Sequence, residues 1–208
     1  MSMNKNRIHS LSILLLLLLL SSCGSKEVKL SPLPPDAVIL AFGDSITFGT
    51  GASQGQSYPE ILQVSIKRKV VNAGVPGETS EQGLKRLPQV LAEFRPKLVI
   101  LCHGGNDILR RLDPDISAKN ITEMIKLIRK SGAEAVLIGV PKPKLIPATA
   151  TLYKTISEKM GVPLEEEIIL NILSNRDLKS DYIHPNAAGY VRLAVAIEAL
   201  LKRYGAIQ

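Results

Sequence analysis

Three side chains, Ser45 and, far along the sequence from it, Asp181 and His184, have the types needed to cleave an acyl bond. Serine hydrolysis takes a hydroxyl, a base to accept its proton and a carboxylate that sets the base's tautomer. It also takes donors aimed at the oxyanion that develops. Ser45 lies in Gly43-Asp44-Ser45-Ile46-Thr47-Phe48-Gly49, directly after the apolar run Ala37-Val38-Ile39-Leu40-Ala41-Phe42. That run reads as a buried strand, and glycine at its exit permits a sharp turn that leaves the serine at the open sheet edge. His184 can act as the base, and Asp181, three residues earlier, can reach its other ring nitrogen through a local turn. The amides of Ser45 and Gly74 and the side chain of Asn106 can supply three oxyanion donors. Each part alone is ordinary: Gly-Asp-Ser triplets favour turns for backbone reasons, and a loop histidine can be a cap. Of the other two histidines, His9 lies in a leader, and His103 ends a buried strand with no acid three residues away, which fits packing.

These side chains need a scaffold that brings their loops to one edge. Apolar runs predict strands over 37–42, 70–71, 97–103 and 135–140, with a short one over 162–164. The spacing between them predicts helices. The first covers 58–69, capped by Ser57, with Ile61, Leu62 and Ile66 inward. The next starts at Thr79 and Ser80 and ends at Arg86, because Pro88 breaks the pattern and opens a second short helix to Phe94. Ile121, Met124, Ile125 and Ile128 mark a helix ended by Gly132, another ends near Met160, and a final one carries Tyr190, Leu193, Ala194, Ile197, Leu200 and Leu201 on one face. Alternation of strand and helix requires crossovers, hence a parallel sheet covered on both faces in one α/β sandwich. Ligands of such sheets bind outside the carboxyl ends of the strands. Gly43-Asp44-Ser45, Asn72-Ala73-Gly74 and Gly104-Gly105-Asn106-Asp107 should therefore converge, with His184 held in the loop before the last helix.

Ahead of this domain, Lys5 and Arg7 precede an apolar run from Leu11 to Leu20 and then Ser21-Ser22-Cys23-Gly24, the pattern of a secretory signal. The run is too short to span a bilayer comfortably. Ser, Lys and the three prolines Pro32, Pro34 and Pro35 then predict a semi-extended tether. The formal charge of +7 is scattered, with Lys67-Arg68-Lys69 as the one short cluster, which reads as a solvated helix end favoured by the macrodipole. No basic stripe with interleaved aromatics supports nucleic-acid binding. Cys102, inside an apolar run, reads as a small buried hydrophobe that does not pair with Cys23.

The four blocks Gly-Asp-Ser, Asn-Ala-Gly, Gly-Gly-Asn-Asp and Asp-x-x-His-Pro, in this order, resemble those of the SGNH/GDSL hydrolase family, in particular its bacterial thioesterase/protease/lysophospholipase branch. The resemblance extends through Gly77-Glu78-Thr79-Ser80-Glu81-Gln82-Gly83-Leu84 and Arg86-Leu87-Pro88. It implies a flavodoxin-like three-layer α/β/α sandwich with about five strands. It further implies a triad of Ser45, Asp181 and His184, an oxyanion hole of Ser45, Gly74 and Asn106, and hydrolysis of carboxylic esters and thioesters through an acyl-enzyme without metal or cofactor. Asp44 and Asp107 match motif positions and read as scaffold that holds the turns. The chain departs from relatives over 141–151, where Lys142, Lys144, Leu145 and Ile146 border the expected acyl or headgroup pocket. Leu20-Ser21-Ser22-Cys23 is similar to the lipobox of bacterial lipoproteins, which implies a signal peptide over 1–22, a lipidated Cys23 with linker to residue 36, and a hydrolase domain over 37–208. The implied setting is the bacterial envelope, with the chain anchored at the outer membrane and facing the periplasm; low aromatic content and no long exposed apolar stretch fit a monomer. A carbohydrate O-acetyl esterase and an anchored binding protein with a retired site are the competing expectations. A phosphate-binding glycine loop over 49–55 is disfavoured, because no lysine follows it.

Overall fold

The computed structural model describes residues 28–142 and 148–208. The leader, Cys23, and Lys144, Leu145 and Ile146 lie outside them. In chain order the elements are β1 (Val38–Gly43), α1 (Ser45–Phe48), α2 (Tyr58–Ile66), β2 (Lys69–Gly74), α3 (Ser80–Phe94), β3 (Leu98–Cys102), α4 (Gly105–Leu109) and α5 (Pro114–Lys130). There follow β4 (Glu134–Ile138), β5 (Pro141–Lys142), β6 (Ala148–Thr149), α6 (Thr151–Met160), β7 (Leu164–Glu165), α7 (Ile168–Ser174) and α8 (Ala187–Arg203). Five strands form one parallel sheet in the order β2-β1-β3-β4-β7, and β5 and β6 make a small antiparallel pair. The chain steps from β1 to β2 and then across to β3, so the order reverses beside β1. A crevice opens at such a reversal, outside the carboxyl ends of the strands.

Helices cover both faces: α2, α7 and α8 pack together on one, and α3, α5 and α6 on the other. This is why Ile39, Leu40, Ala41 and Phe42 of β1 and all of β3 are fully buried and read as unbroken apolar runs rather than as alternating ones. Three expectations are corrected. Pro88 does not divide the chain into two helices, because α3 runs through it. An interior proline costs about 3 kcal/mol, and burial of Gly83, Leu87, Val90 and Leu91 along one side of α3 outweighs it. The first long helix stops at Ile66, because Lys67 turns left-handed at φ 51° and Lys69 is already in β2. The segment before β1 is extended but not free. Leu30 and Leu33 are buried in the core, their amides donate to the carbonyls of Tyr204 and Ala206 at 2.8 Å, and the Ser31 amide donates to Glu134.

Candidate active site

The expected nucleophile begins a helix. Asp44 caps α1, its Oδ1 accepting the Ile46 N–H at 3.2 Å, so Ser45 sits at the first helical position, half-buried at the exit of β1. Burial pushes the Asp44 carboxyl above its ordinary value, against the opposing pull of His103. The end of β2 abuts this helix directly: a Cβ on Gly74 would stand 2.1 Å from the Phe48 nitrogen and 2.6 Å from the Thr47 carbonyl carbon. Only glycine allows that approach. Asn72 ties the same corner together. Its Oδ1 accepts the Gly74 N–H at 3.0 Å, and its Nδ2 donates to the Phe48 carbonyl at 3.3 Å.

Asn106 stands in the first turn of α4, a short helix that the apolar pattern does not announce. Its Nδ2 donates to the Glu78 carbonyl at 3.1 Å and lies 3.4 Å from Asp44 Oδ2, at the outer limit of a hydrogen bond. The histidine loop is closed by its own backbone. Asp181 Oδ1 accepts the amides of Ile183 and His184, both at 2.8 Å. Asn186 then caps α8 by accepting the Gly189 N–H at 3.0 Å. The Asp181 Oδ2 is 2.7 Å from His184 Nδ1, and His184 Nε2 is 3.0 Å from Ser45 Oγ, across 139 residues of sequence. Burial raises the Asp181 carboxyl, but the His184 ring and the two amides outweigh it and hold the group below its ordinary value. A carboxylate facing Nδ1 fixes Nε2 as the atom able to accept the serine proton.

Beneath this site lies a buried cluster whose members the spacing argument does not single out. Arg86 grips Glu78 with two bonds of 2.8 and 2.7 Å, donates to the Ala73 carbonyl at 3.0 Å, and lies over the Phe42 ring. His103, fully buried as expected, does more than pack: its Nδ1 accepts the Gly104 N–H, leaving Nε2 to donate to Glu78 at 3.1 Å. Burial raises the Glu78 carboxyl, yet the bonds from Arg86 and His103 prevail and lower it to about 2. Glu78 also presents the carbonyl that holds Asn106, so the cluster supports one expected oxyanion donor from below. Asp107 departs from the expectation of a local turn holder. It reaches across to the Ser80 amide at 2.8 Å and to the hydroxyls of Ser80 and Ser117, tying α4 to the starts of α3 and α5.

Ser45, Asn106 and His184 face a cavity of about 550 Å³. Ile108, Leu109, Val140, Leu170, Leu173 and Ile183 give it apolar walls, and Lys142 and Lys179 border it. Leu170 and Leu173 come from α7, for which the sequence pattern predicts no element.

Known proteins share this architecture. The GDSL-like Lipase/Acylhydrolase family model matches residues 41–192, a span that contains Ser45, Gly74, Asn106, Asp181 and His184. The chain is similar to Esterase TesA of Pseudomonas aeruginosa, with 32% identity over 196 residues, 89% of this chain and 97% of that protein. It is also similar to Thioesterase 1/protease 1/lysophospholipase L1 of Escherichia coli, with 30% identity over 156 residues, 71% and 75% of the two chains. Among solved structures, the psychrotrophic esterase EstA from Pseudoalteromonas sp., inhibited by monoethylphosphonate, superposes with a TM-score of 0.74 at 25% identity, covering 81% of this chain and 98% of its own.

Proposed function

The chain belongs to the GDSL-like lipase/acylhydrolase family and is an ester-hydrolysing enzyme, and on that premise we propose that Ser45 is its nucleophile, His184 its general base and Asp181 the group that orients the base. The observation carrying this reading is the continuous line of contacts from Asp181 through His184 to the Ser45 hydroxyl, at 2.7 and 3.0 Å. In the acylation step Ser45 Oγ attacks the carbonyl carbon and its proton passes to His184 Nε2. The oxyanion is met by the Ser45 amide and by Asn106 Nδ2, for which the bond to the Glu78 carbonyl provides a fixed orientation, and by the Gly74 amide, which turns from Asn72 Oδ1 to reach it. Collapse expels the alcohol or thiol, which takes the proton from His184. Water, deprotonated by the same ring, then releases the acid and restores Ser45.

The substrates we propose are acyl esters with a sizeable apolar acyl group, such as lysophospholipids and aryl esters, together with thioesters. The apolar walls of the cavity support this, and its volume falls in the range of about 300–1,000 Å³ typical of small-molecule sites. Labelling with a fluorophosphonate tests the nucleophile: the adduct should map to the Ser45 peptide, and Ser45→Ala should hydrolyse aryl esters at below a few per cent of the parent rate. An adduct elsewhere, or substantial activity in Ser45→Ala, would refute the assignment. A series of aryl esters from acetyl to palmitoyl tests the pocket. An optimum confined to acetyl would overturn the long-acyl reading in favour of deacetylation.

We also read residues 1–22 as a cleaved signal, Cys23 as lipidated and 37–208 as the exported catalytic domain, anchored in the bacterial envelope at the outer membrane. The placement of Cys23 directly after Leu20-Ser21-Ser22 supports this. Cys23→Ser should abolish incorporation of radiolabelled palmitate and shift the protein to the soluble fraction. Unchanged palmitate labelling, or unchanged membrane recovery after a high-salt wash, would refute the anchor.

A further inference from the structure

The strand-start end of the domain, opposite Ser45, gathers positive charge from segments distant in sequence. Lys69, Val38, Lys97 and Glu134 stand side by side there, joined by strand register and by the bonds Lys97 N to Val38 O and Glu134 N to Lys97 O. The helices run against the strands, so α2, α3, α5 and α8 all end at this edge. They bring exposed Lys67, Arg95, Lys130 and Arg203 beside Lys69 and Lys97. Within these segments and the docked linker the acidic groups are Asp36, Glu93, Glu134 and Glu198. Glu134 accepts from Ser31 and Glu198 pairs with Lys202. The helix macrodipole accounts for basic residues in a last turn but not for Lys69 and Lys97, which open strands. Between α3 and α5 the edge also carries an open groove of about 630 Å³, floored by Leu91 and Leu127 and bordered by Arg95, Lys97 and Lys130.

The chain enters the domain at this same edge. Leu30 and Leu33 are pinned to the carbonyls of Tyr204 and Ala206, and Arg68 donates to the Leu33 carbonyl at 3.1 Å. From Cys23 to Val28 the chain spans at most about 17 Å. An acyl anchor on Cys23 would therefore keep the basic edge close to a bilayer surface. Ser45 would stand farther out, by the roughly 20 Å length of the six-residue β1.

We propose that this basic edge docks on an anionic phospholipid bilayer and turns the Ser45 crevice away from the membrane that holds the chain. The docking rests on the proposed Cys23 anchor only for how the chain reaches the bilayer. The charge on the edge acts with or without acyl chains. Substrate then enters from the aqueous side, and the apolar cavity takes acyl groups delivered in water rather than extracted from the anchoring leaflet.

The test uses the full lipidated chain in vesicles of phosphatidylcholine, with or without phosphatidylglycerol. An environment-sensitive label is attached at Ala92→Cys, beside the groove, or at Ile116→Cys, near the crevice end. Cys102 is fully buried and does not compete for the label. Lipid-borne quencher should affect the residue 92 label several-fold more than the residue 116 label, only with phosphatidylglycerol present, and Lys97→Glu/Lys130→Glu should remove the difference. Equal quenching at both sites, or quenching indifferent to anionic lipid and to the charge reversal, would overturn the proposal. The Cys23→Ser chain separates the two readings. If it stays in the membrane fraction of cells after a high-salt wash, which releases electrostatic docking, the anchor reading fails, and the docking is then judged by flotation of that chain with vesicles. Flotation should weaken about 30-fold on loss of Lys97 and Lys130, from roughly 1 kcal/mol per basic residue near the surface. No charge-dependent flotation, or charge-dependent dimerisation in its place, would overturn the docking.

Discussion

Replacing Glu78 by glutamine isolates one ionisation in the layer that supports the site. In the fold its carboxyl titrates at about 2 instead of 4.5, with burial opposing ionisation and the Arg86 and His103 bonds overcoming it. The carboxyl is almost wholly enclosed, so solvent screens the effect little. Each pKa unit is worth about 1.4 kcal/mol, so the ionised group favours the fold by about 3 kcal/mol at neutral pH. A lowered folded-state pKa gives stability that is complete above the unfolded value of 4.5 and lost as pH falls towards 2. By the same linkage about 1.4 kcal/mol of it survives at pH 3. Glutamine keeps the shape and one acceptor but cannot ionise, so Glu78→Gln imitates the protonated parent. Urea unfolding of parent and variant from pH 3 to 7 should show the gap between them growing by about 2 kcal/mol across that range. A gap that is the same at both ends of the range, or below about 1 kcal/mol at pH 7, would refute the assignment of this stability to the ionised Glu78.

The remaining predictions concern the reaction centre. Asn106→Ala should lower kcat by about 10²–10³ in a folded protein, and a loss under tenfold would remove Asn106 from the oxyanion hole. Asp181→Asn should lower kcat by orders of magnitude, with Ser45 still present but facing the wrong imidazole tautomer. A rate within tenfold of the parent would show that the half-exposed Asp181 does not orient His184. Gly74→Ala would drive a methyl into the backbone of α1, 2.1 Å from the Phe48 nitrogen. Both thermal stability and kcat should fall, and a variant with parent-like Tm would show that the corner yields without cost.

Much of the site is legible in the chain because its parts are local. The strand before Ser45 is a continuous apolar run, as burial on both faces demands, and Asp181 and His184 share one turn held by its own amides. The alternation of strands and helices likewise announces a parallel sheet. What escapes a linear reading is long-range. Glu78 and Arg86, eight residues apart at the start of α3, meet His103 only where that helix crosses the end of β3. The helix α7 is a short apolar run whose N-cap residue, Glu167, makes no side-chain capping bond, so periodicity does not distinguish it from a strand or loop, although it builds a wall of the cavity.

By itself the sequence determines the reactive types and their order, because turn chemistry and strand exits are written in neighbouring residues. Only the tertiary structure decides that Ser45 and His184 stand 3.0 Å apart, since that distance depends on the strand order and on α8 packing back across the sheet. It decides equally that α3 continues through Pro88, where buried side chains overrule a local penalty. The same holds for residues 28–36, which form an edge of the folded body rather than a loose tether, because two leucines find the core and two amides find carbonyls that no local pattern predicts.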